Sequence, residues 1–197
     1  MSADAETLVV YAAKARDYAE MTADLSGDRH LAAFIAAMPE SARVLDLGCG
    51  PGRAAGQMAD RAMIVDAVDA VPEMVDMAAA HPGVTAWQAD FDEIGGVDIY
   101  DGIWANFSLV HAPRADLPRH LAALKAALKA GGLLHVGMKT GTGETRDALG
   151  RLYTYVTEAE LRALLAEAGF RPAQSWTGRD IGLDGTPADW VVIHSHG

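Results

Sequence analysis

From about residue 43 onward the chain alternates short apolar runs with segments whose apolar positions recur at helical spacing. Arg43–Leu47 is an apolar run that stops at a glycine cluster, as expected of a buried strand. Met63–Asp69, Val84–Ala89, Val97–Ala105 and Leu133–Met138 repeat the pattern. Between these runs the spacing predicts helices over about 53–61, 72–80 and 114–129. Pro72 suits a first helical turn, His81-Pro82-Gly83 is a stop, and Gly131-Gly132 is expected to end the third helix. Further on, Thr157-Glu158-Ala159-Glu160 has the form of a capping box, opening a helix that Gly169 closes. Two more strands are expected over about 171–177 and 189–194. Two amphipathic helices, over about 5–21 and 27–38, precede the first strand. Strands and helices alternating in this way call for an α/β, doubly wound, mostly parallel sheet with helices on both faces.

Composition narrows the field without redirecting it. The chain has 197 residues, half of them hydrophobic and 22% charged, ordinary for one domain with a real core. No repeat, linker or low-complexity segment divides it. No apolar stretch approaches the about 20 residues that would span a bilayer, and the acidic start from Met1 to Glu6 lacks the basic-then-apolar form of a signal peptide. A cytoplasmic protein with no membrane partner is the expectation, and the lone Cys49 agrees with a reducing compartment. The net charge of −11 argues against nucleic acid as a partner, because such binding draws on Lys and Arg to neutralise phosphates. Oligomeric state is not readable from the sequence.

The most informative stretch is Val44-Leu45-Asp46-Leu47-Gly48-Cys49-Gly50-Pro51-Gly52. A strand turning into a helix through glycines lets a ligand approach bare backbone, with helix N–H groups directed at it. Dinucleotide enzymes use such a loop too, so a nucleotide-cofactor oxidoreductase is one alternative. Their fingerprint, however, wants a third glycine where this chain has Arg53, and Asp46 lies where it would repel a pyrophosphate but could help hold an ammonium group. Asp69, about 20 residues on, is placed to accept hydrogen bonds from ribose hydroxyls. Asp90-Phe91 offers a carboxylate for an adenine amino group beside an aromatic ring to pack on it. An amine, a ribose and an adenine without phosphates point to one common cofactor.

At these residues the chain resembles the class I S-adenosylmethionine-dependent methyltransferases. The likeness runs through Val44–Arg53, Val68–Met74, Ala89–Phe91, Tyr100–Phe107 and Leu128–Gly132. It implies a Rossmann-like, seven-stranded sheet with an antiparallel C-terminal strand. It further implies that Gly48, Cys49 and Gly50 line the methionine part of the cofactor, with Gly52 completing the loop. Asp69 would bind the ribose, Ala70 and Met74 would flank the adenosine, Asp90 and Phe91 would meet the adenine, and the backbone near Asn106 the amino end. Residues 1–40 would form a helical lid, 41–140 the cofactor-binding core, and 141–197 an acceptor-side loop with the sheet edge. A non-catalytic cofactor-binding domain that has kept the fold is the remaining alternative.

The implied reaction is in-line displacement at a sulfonium methyl, which asks the protein mainly to align a small-molecule acceptor and exclude water. Contacts to the acceptor should come from the segments after the fourth and fifth strands. Neither catalytic role is fixed by the sequence; His111 and Tyr153 are the candidates. Lys139 and Arg146 are candidates to bind an anionic acceptor, and Tyr11 and Tyr18, on the lid, to cover the site. His135, between apolar neighbours, is expected to be a satisfied core histidine. His194 and His196 lack further ligands, and no metal is expected.

Overall fold

The computed structural model describes residues 4–22 and 27–197. Its elements in chain order are α1 (Ala5–Ala13), α2 (Ala15–Met21), α3 (Arg29–Ala36), β1 (Arg43–Leu47), α4 (Arg53–Ala59), β2 (Ile64–Asp69), α5 (Pro72–Ala79) and β3 (Val84–Gln88). There follow β4 (Tyr100–Asn106), α6 (Leu117–Ala127), β5 (Leu128–Lys139), the short β6 (Glu144–Arg146) and β7 (Leu152–Thr154), α7 (Glu158–Glu167), β8 (Arg171–Ile181) and β9 (Pro187–His196).

Seven strands form one sheet in the order β3-β2-β1-β4-β5-β9-β8. All neighbours are parallel except β9, which runs antiparallel to both β5 and β8. This is the α/β, doubly wound arrangement expected, with the antiparallel strand at the C-terminus. Successive residues of a strand point to opposite faces. Val44, Val65, Trp104 and Leu133 accordingly pack with α3, α4 and Ala78 of α5. Leu45, Ile103, Leu134 and Ile193 pack with α6 and α7 on the other face.

The differences from the sequence reading have local causes. The first expected helix breaks at Lys14 (φ −113°, ψ 17°), so α1 and α2 are separate. Asp4 caps α1 through the N–H of Thr7, and Asp28 caps α3 through His30 and Leu31. The helix expected from Arg114 starts at Leu117, after a 3₁₀ turn, and ends at Ala127 rather than at the glycine pair. β5 starts at Leu128 and carries Gly131 and Gly132 at a register irregularity opposite Tyr100–Gly102. β4 starts only at Tyr100; Val97 is 72% exposed. The β6–β7 hairpin has no apolar signal, its first strand being exposed throughout, and was not expected.

Leu8, Tyr11 and Tyr18 from α1 and α2 pack on Ala15, Val71 and Met74, which lays the N-terminal helices over the carboxyl end of β2 and the start of α5. Residues 1–3 and 23–26 of the expected 1–40 lid lie outside the described residues. Among the described residues no helix is long and apolar enough to cross a membrane.

Candidate active site

β1 delivers the chain into the glycine loop at the carboxyl edge of the sheet. Gly48 (φ 68°), Gly50 (φ 52°) and Gly52 (φ 75°) are all left-handed. A Cβ at Gly48 would lie 2.3 Å from Ser108 Cβ, and one at Gly52 would lie 2.6 Å from Ala78 Cα. Only glycine allows that conformation and that approach together. The N–H groups of Gly48 and Cys49 both donate to Val68 O, tying the loop to β2.

Beside the loop, Asp69 accepts from Gly50 N (2.9 Å) and Val71 N (2.9 Å). Burial pushes its carboxyl up from the ordinary range, and those N–H donors oppose the rise. Asp90 accepts from Asp92 N in a capping box with Glu93. A cavity enclosing about 710 Å³, part of it open to solvent, is lined by Gly48, Gly50, Asp69, Ala70, Met74, Asp90, Phe91 and Asn106 together with Tyr11 and Tyr18. The expected cofactor residues are therefore gathered in one place, with three exceptions.

Asp46, Cys49 and Gly52 do not line that cavity. Asp46 is 2% exposed and accepts from Ala55 N (3.1 Å), so it braces the start of α4 from behind the loop. Burial first, and the charge of Asp69 after it, push its carboxyl up to about 7. Asp46 therefore does not itself border the cavity, and any hold on an ammonium group there would be indirect. The Cys49 thiol is buried and pushed up in pKa by that burial. Gly52 packs against α5. Arg53 turns toward α2, donating to Ala19 O at 3.4 Å.

The sequence reading missed Asp4, Thr7 and Leu8 at the N-terminal helix, which also line the cavity, as does Ser108 from the segment after β4. The Ser108 hydroxyl is buried beside Gly48 and has no hydrogen-bond partner among the described residues.

A second cavity adjoins the first. Tyr11, Tyr18, Asn106, Phe107 and His111 form the shared wall, and Lys139, Arg151, Tyr153, Asp180 and Trp190 are among the residues that complete it. Phe107 holds a left-handed backbone (φ 56°), uncommon for a bulky residue, at the point where the two spaces meet. Lys139 Nζ sits 3.7 Å from the centre of the Tyr153 ring and, among the described residues, forms no ion pair. Its pKa is lowered by burial and by Arg151, while Asp184 and Asp147 oppose the shift.

Arg146 is a correction. It does not reach either cavity; its guanidinium grips both carboxylate oxygens of Asp4 (2.8 Å each) and reaches Glu6 at 3.2 Å. The β6–β7 hairpin turns it back toward α1.

His111 and Tyr153 also prove to be engaged. His111 Nδ1 lies 2.7 Å from Leu152 O, and a carbonyl only accepts, so Nδ1 carries the proton and Nε2 is the acceptor for Tyr11 OH at 2.9 Å. Tyr11 OH accepts in turn from Arg151 Nη1 (2.9 Å) and is hydrogen-bonded to Tyr153. Arg151, 1% exposed, is held by Asp147 through Nε and Nη2 (2.8 and 2.6 Å). Burial, with Arg151 and Lys139 nearby, pushes His111 down to about 4. This neutral, fully bonded network fastens α1 to the segment after β6. His135 is the satisfied core histidine expected. Among the described residues no cluster could hold a metal.

Residues 44–132 match a family model described as a methyltransferase domain. The chain superposes on the 1,6-didemethyltoxoflavin-N1-methyltransferase of Burkholderia thailandensis, solved with bound 1,6-didemethyltoxoflavin and S-adenosylhomocysteine. The TM-score is 0.79 at 26% identity, covering 98% of this chain and 87% of that one. The ubiquinone biosynthesis O-methyltransferase of Xanthomonas axonopodis is 33% identical over 103 residues, 49% of this chain and 42% of the relative. The trans-aconitate 2-methyltransferase of Deinococcus radiodurans is 37% identical over 112 residues, 55% of this chain and 42% of that protein. Each match thus spans less than half the length of the curated relative. Fold, glycine loop and relatives define a Rossmann-like methyltransferase domain. Residues 44–132 thus carry a match to the methyltransferase domain, and the fold is that of S-adenosylmethionine-dependent methyltransferases, whose cofactor is S-adenosylmethionine.

Proposed function

We infer that the protein transfers a methyl group from S-adenosylmethionine to a small-molecule acceptor that carries an anionic group. The observation that carries this reading is the pair of adjoining cavities, one bounded by the glycine loop and Asp69, the other holding Lys139 without a carboxylate partner among the described residues. In the first, Asp69 retains free lone pairs for the ribose hydroxyls, and Ala70 and Met74 flank the adenosine. Asp90 and Phe91 meet the adenine, while Gly48 and Gly50 leave their backbone open to the methionine part. Bound there, the cofactor supplies an electrophilic methyl on a positive sulfur. The protein's share is to hold the acceptor in line and keep water out.

Residues 1–40 act as the lid, 41–140 as the cofactor core and 141–197 as the acceptor side of one methyltransferase unit. Tyr11 and Tyr18 close the shared wall from the lid, and Lys139 orients the acceptor's anion. One curated relative is named for trans-aconitate, a carboxylate, which agrees with an anionic acceptor. The experiment is calorimetry with S-adenosylmethionine and S-adenosylhomocysteine, followed by turnover against a panel of carboxylates, phenols and neutral analogues read as S-adenosylhomocysteine release. Lys139→Ala should lower kcat/KM at least tenfold, about 1.4 kcal/mol, with affinity for S-adenosylhomocysteine within twofold of the parent. Equal turnover of anionic acceptors by the parent and Lys139→Ala would end the anion reading.

A further inference from the structure

Asn106 stands where the cavities meet, at the end of β4. Its side chain belongs to a relay that crosses three neighbouring strands. His135 on β5 is wholly buried and stacks on Trp104 of β4 (3.5 Å between centroids, 19°). Strand register places it directly beside both Trp104 and His194 of β9. His135 Nε2 lies 3.0 Å from Asn106 Oδ1, and His135 Nδ1 lies 3.0 Å from His194 Nε2.

The directions of these bonds are linked. An amide oxygen only accepts, so His135 must carry its proton on Nε2; its Nδ1 is then a lone pair, and His194 must donate from its own Nε2. Burial pushes His194 down to about 4 and His135 well below its ordinary range, so both rings stay neutral and the order of donors holds at neutral pH. Gly137, opposite Asn106 in register, makes the docking possible: a Cβ there would come within 2.9 Å of Asn106 Oδ1. With Oδ1 committed, the Asn106 amide nitrogen makes no hydrogen bond among the described residues and borders open space. Beside it are the left-handed Phe107 and the unpartnered Ser108 hydroxyl.

We propose that Asn106 is a specificity-determining residue whose NH2 group is aimed into the acceptor compartment by the His135–His194 relay, where it donates to a carboxylate or carbonyl oxygen of the acceptor. The ligand class rests on the methyltransferase reading, but the relay is a property of this chain alone. It is a built donor. Its aim is set by two positioning residues that no ligand touches, and an acceptor presenting only donors at that point would be rejected because two hydrogen-bond donors would face each other.

The test has a spectroscopic and a binding arm, both on the protein saturated with S-adenosylhomocysteine. Nitrogen-15 spectra of the histidine rings at neutral pH should show His135 and His194 protonated on Nε2 and bare on Nδ1. His194→Gln, which keeps an N–H donor, should preserve the His135 tautomer, and His194→Leu should let it shift. Benzoate, as the carboxylate probe, should bind the parent and perturb the Asn106 side-chain amide resonance. Asn106→Asp keeps an oxygen for His135 but offers the compartment a carboxylate, and it should weaken benzoate at least tenfold with the His135 tautomer unchanged. A proton on Nδ1 of either ring in the parent overturns the proposal, as does a parent that does not bind benzoate or an Asn106→Asp variant that binds it equally well. S-adenosylhomocysteine binding by the parent, measured first, separates failure here from failure of the methyltransferase reading.

Discussion

The sharpest test of the cofactor site is Asp69→Ala. In the structure this carboxylate accepts from Gly50 N and Val71 N, one on each oxygen, with the Ala70 backbone also bonded to it, and its remaining acceptor capacity is what the ribose hydroxyls would use. Hydrogen bonds to a charged group contribute roughly 1.5–3 kcal/mol each. They share one carboxylate and are not additive, so a total of about 3 kcal/mol is the reasonable expectation, a loss of roughly 100- to 200-fold in affinity. The variant also frees the glycine loop from its anchor, so a fall in affinity alone would not assign the bonds to ribose. A cycle with ligands does. Calorimetry should find adenosine bound more tightly than 2′,3′-dideoxyadenosine by the parent, and the gap should collapse in Asp69→Ala. If the gap survives the substitution, Asp69 does not touch the ribose and the placement of the cofactor is wrong.

The two arginines of the segment after β5 should behave in opposite ways. Asp147→Ala strands the buried Arg151 and should destabilise the protein by about 3–5 kcal/mol in urea unfolding, whereas Arg146→Ala removes a pair with 40% of its guanidinium side exposed and should change stability by less than about 1 kcal/mol; equal effects would contradict the burial described here. Asp46 has a folded pKa above its ordinary 3.8, so the stability tied to its neutral form is fully present below that value and is lost as pH rises through about 7. Asp46→Asn, still able to accept from Ala55 N, should therefore gain in Tm over the parent across that window and hold its advantage above it; a difference independent of pH would show that the carboxyl titrates normally. With a net charge of −11, the protein should show no gel shift of tRNA or duplex DNA at submicromolar concentration in physiological salt, and a clear shift there would refute the expectation.

Much of this was legible in the sequence because it is local. The glycines at 48, 50 and 52 are demanded by the turn between β1 and α4, and a turn involves only neighbours in the chain. The central strands β1, β2 and β4 announce themselves as apolar runs because both faces of a parallel sheet are covered there. The acids at the ends of β2 and β3 could be placed from the strand ends alone, which is why Asp69 and Asp90 line the cavity as expected. Position in a strand gives the level of a residue but not the face, so the sequence could not tell that the Asp46 carboxylate lies behind the loop against Ala55 N.

Long-range partners were not legible. Lys139 and Arg146 are equally cationic and close in sequence, yet the one at the end of β5 lines the acceptor compartment and the other, on β6, closes on Asp4 of the N-terminal segment. His111 is open between a base and a structural histidine in the sequence; its bond to Tyr11, a hundred residues away, and the burial that lowers its pKa come only from the packed structure. Asn106, His135 and His194 become one relay only when β4, β5 and β9 are laid side by side in register. Local patterns in the chain specify strands, turns and their candidate ligands. Which polar groups are spent on each other, and which remain for a ligand, depends on contacts between distant segments, and only the packed tertiary structure brings those together.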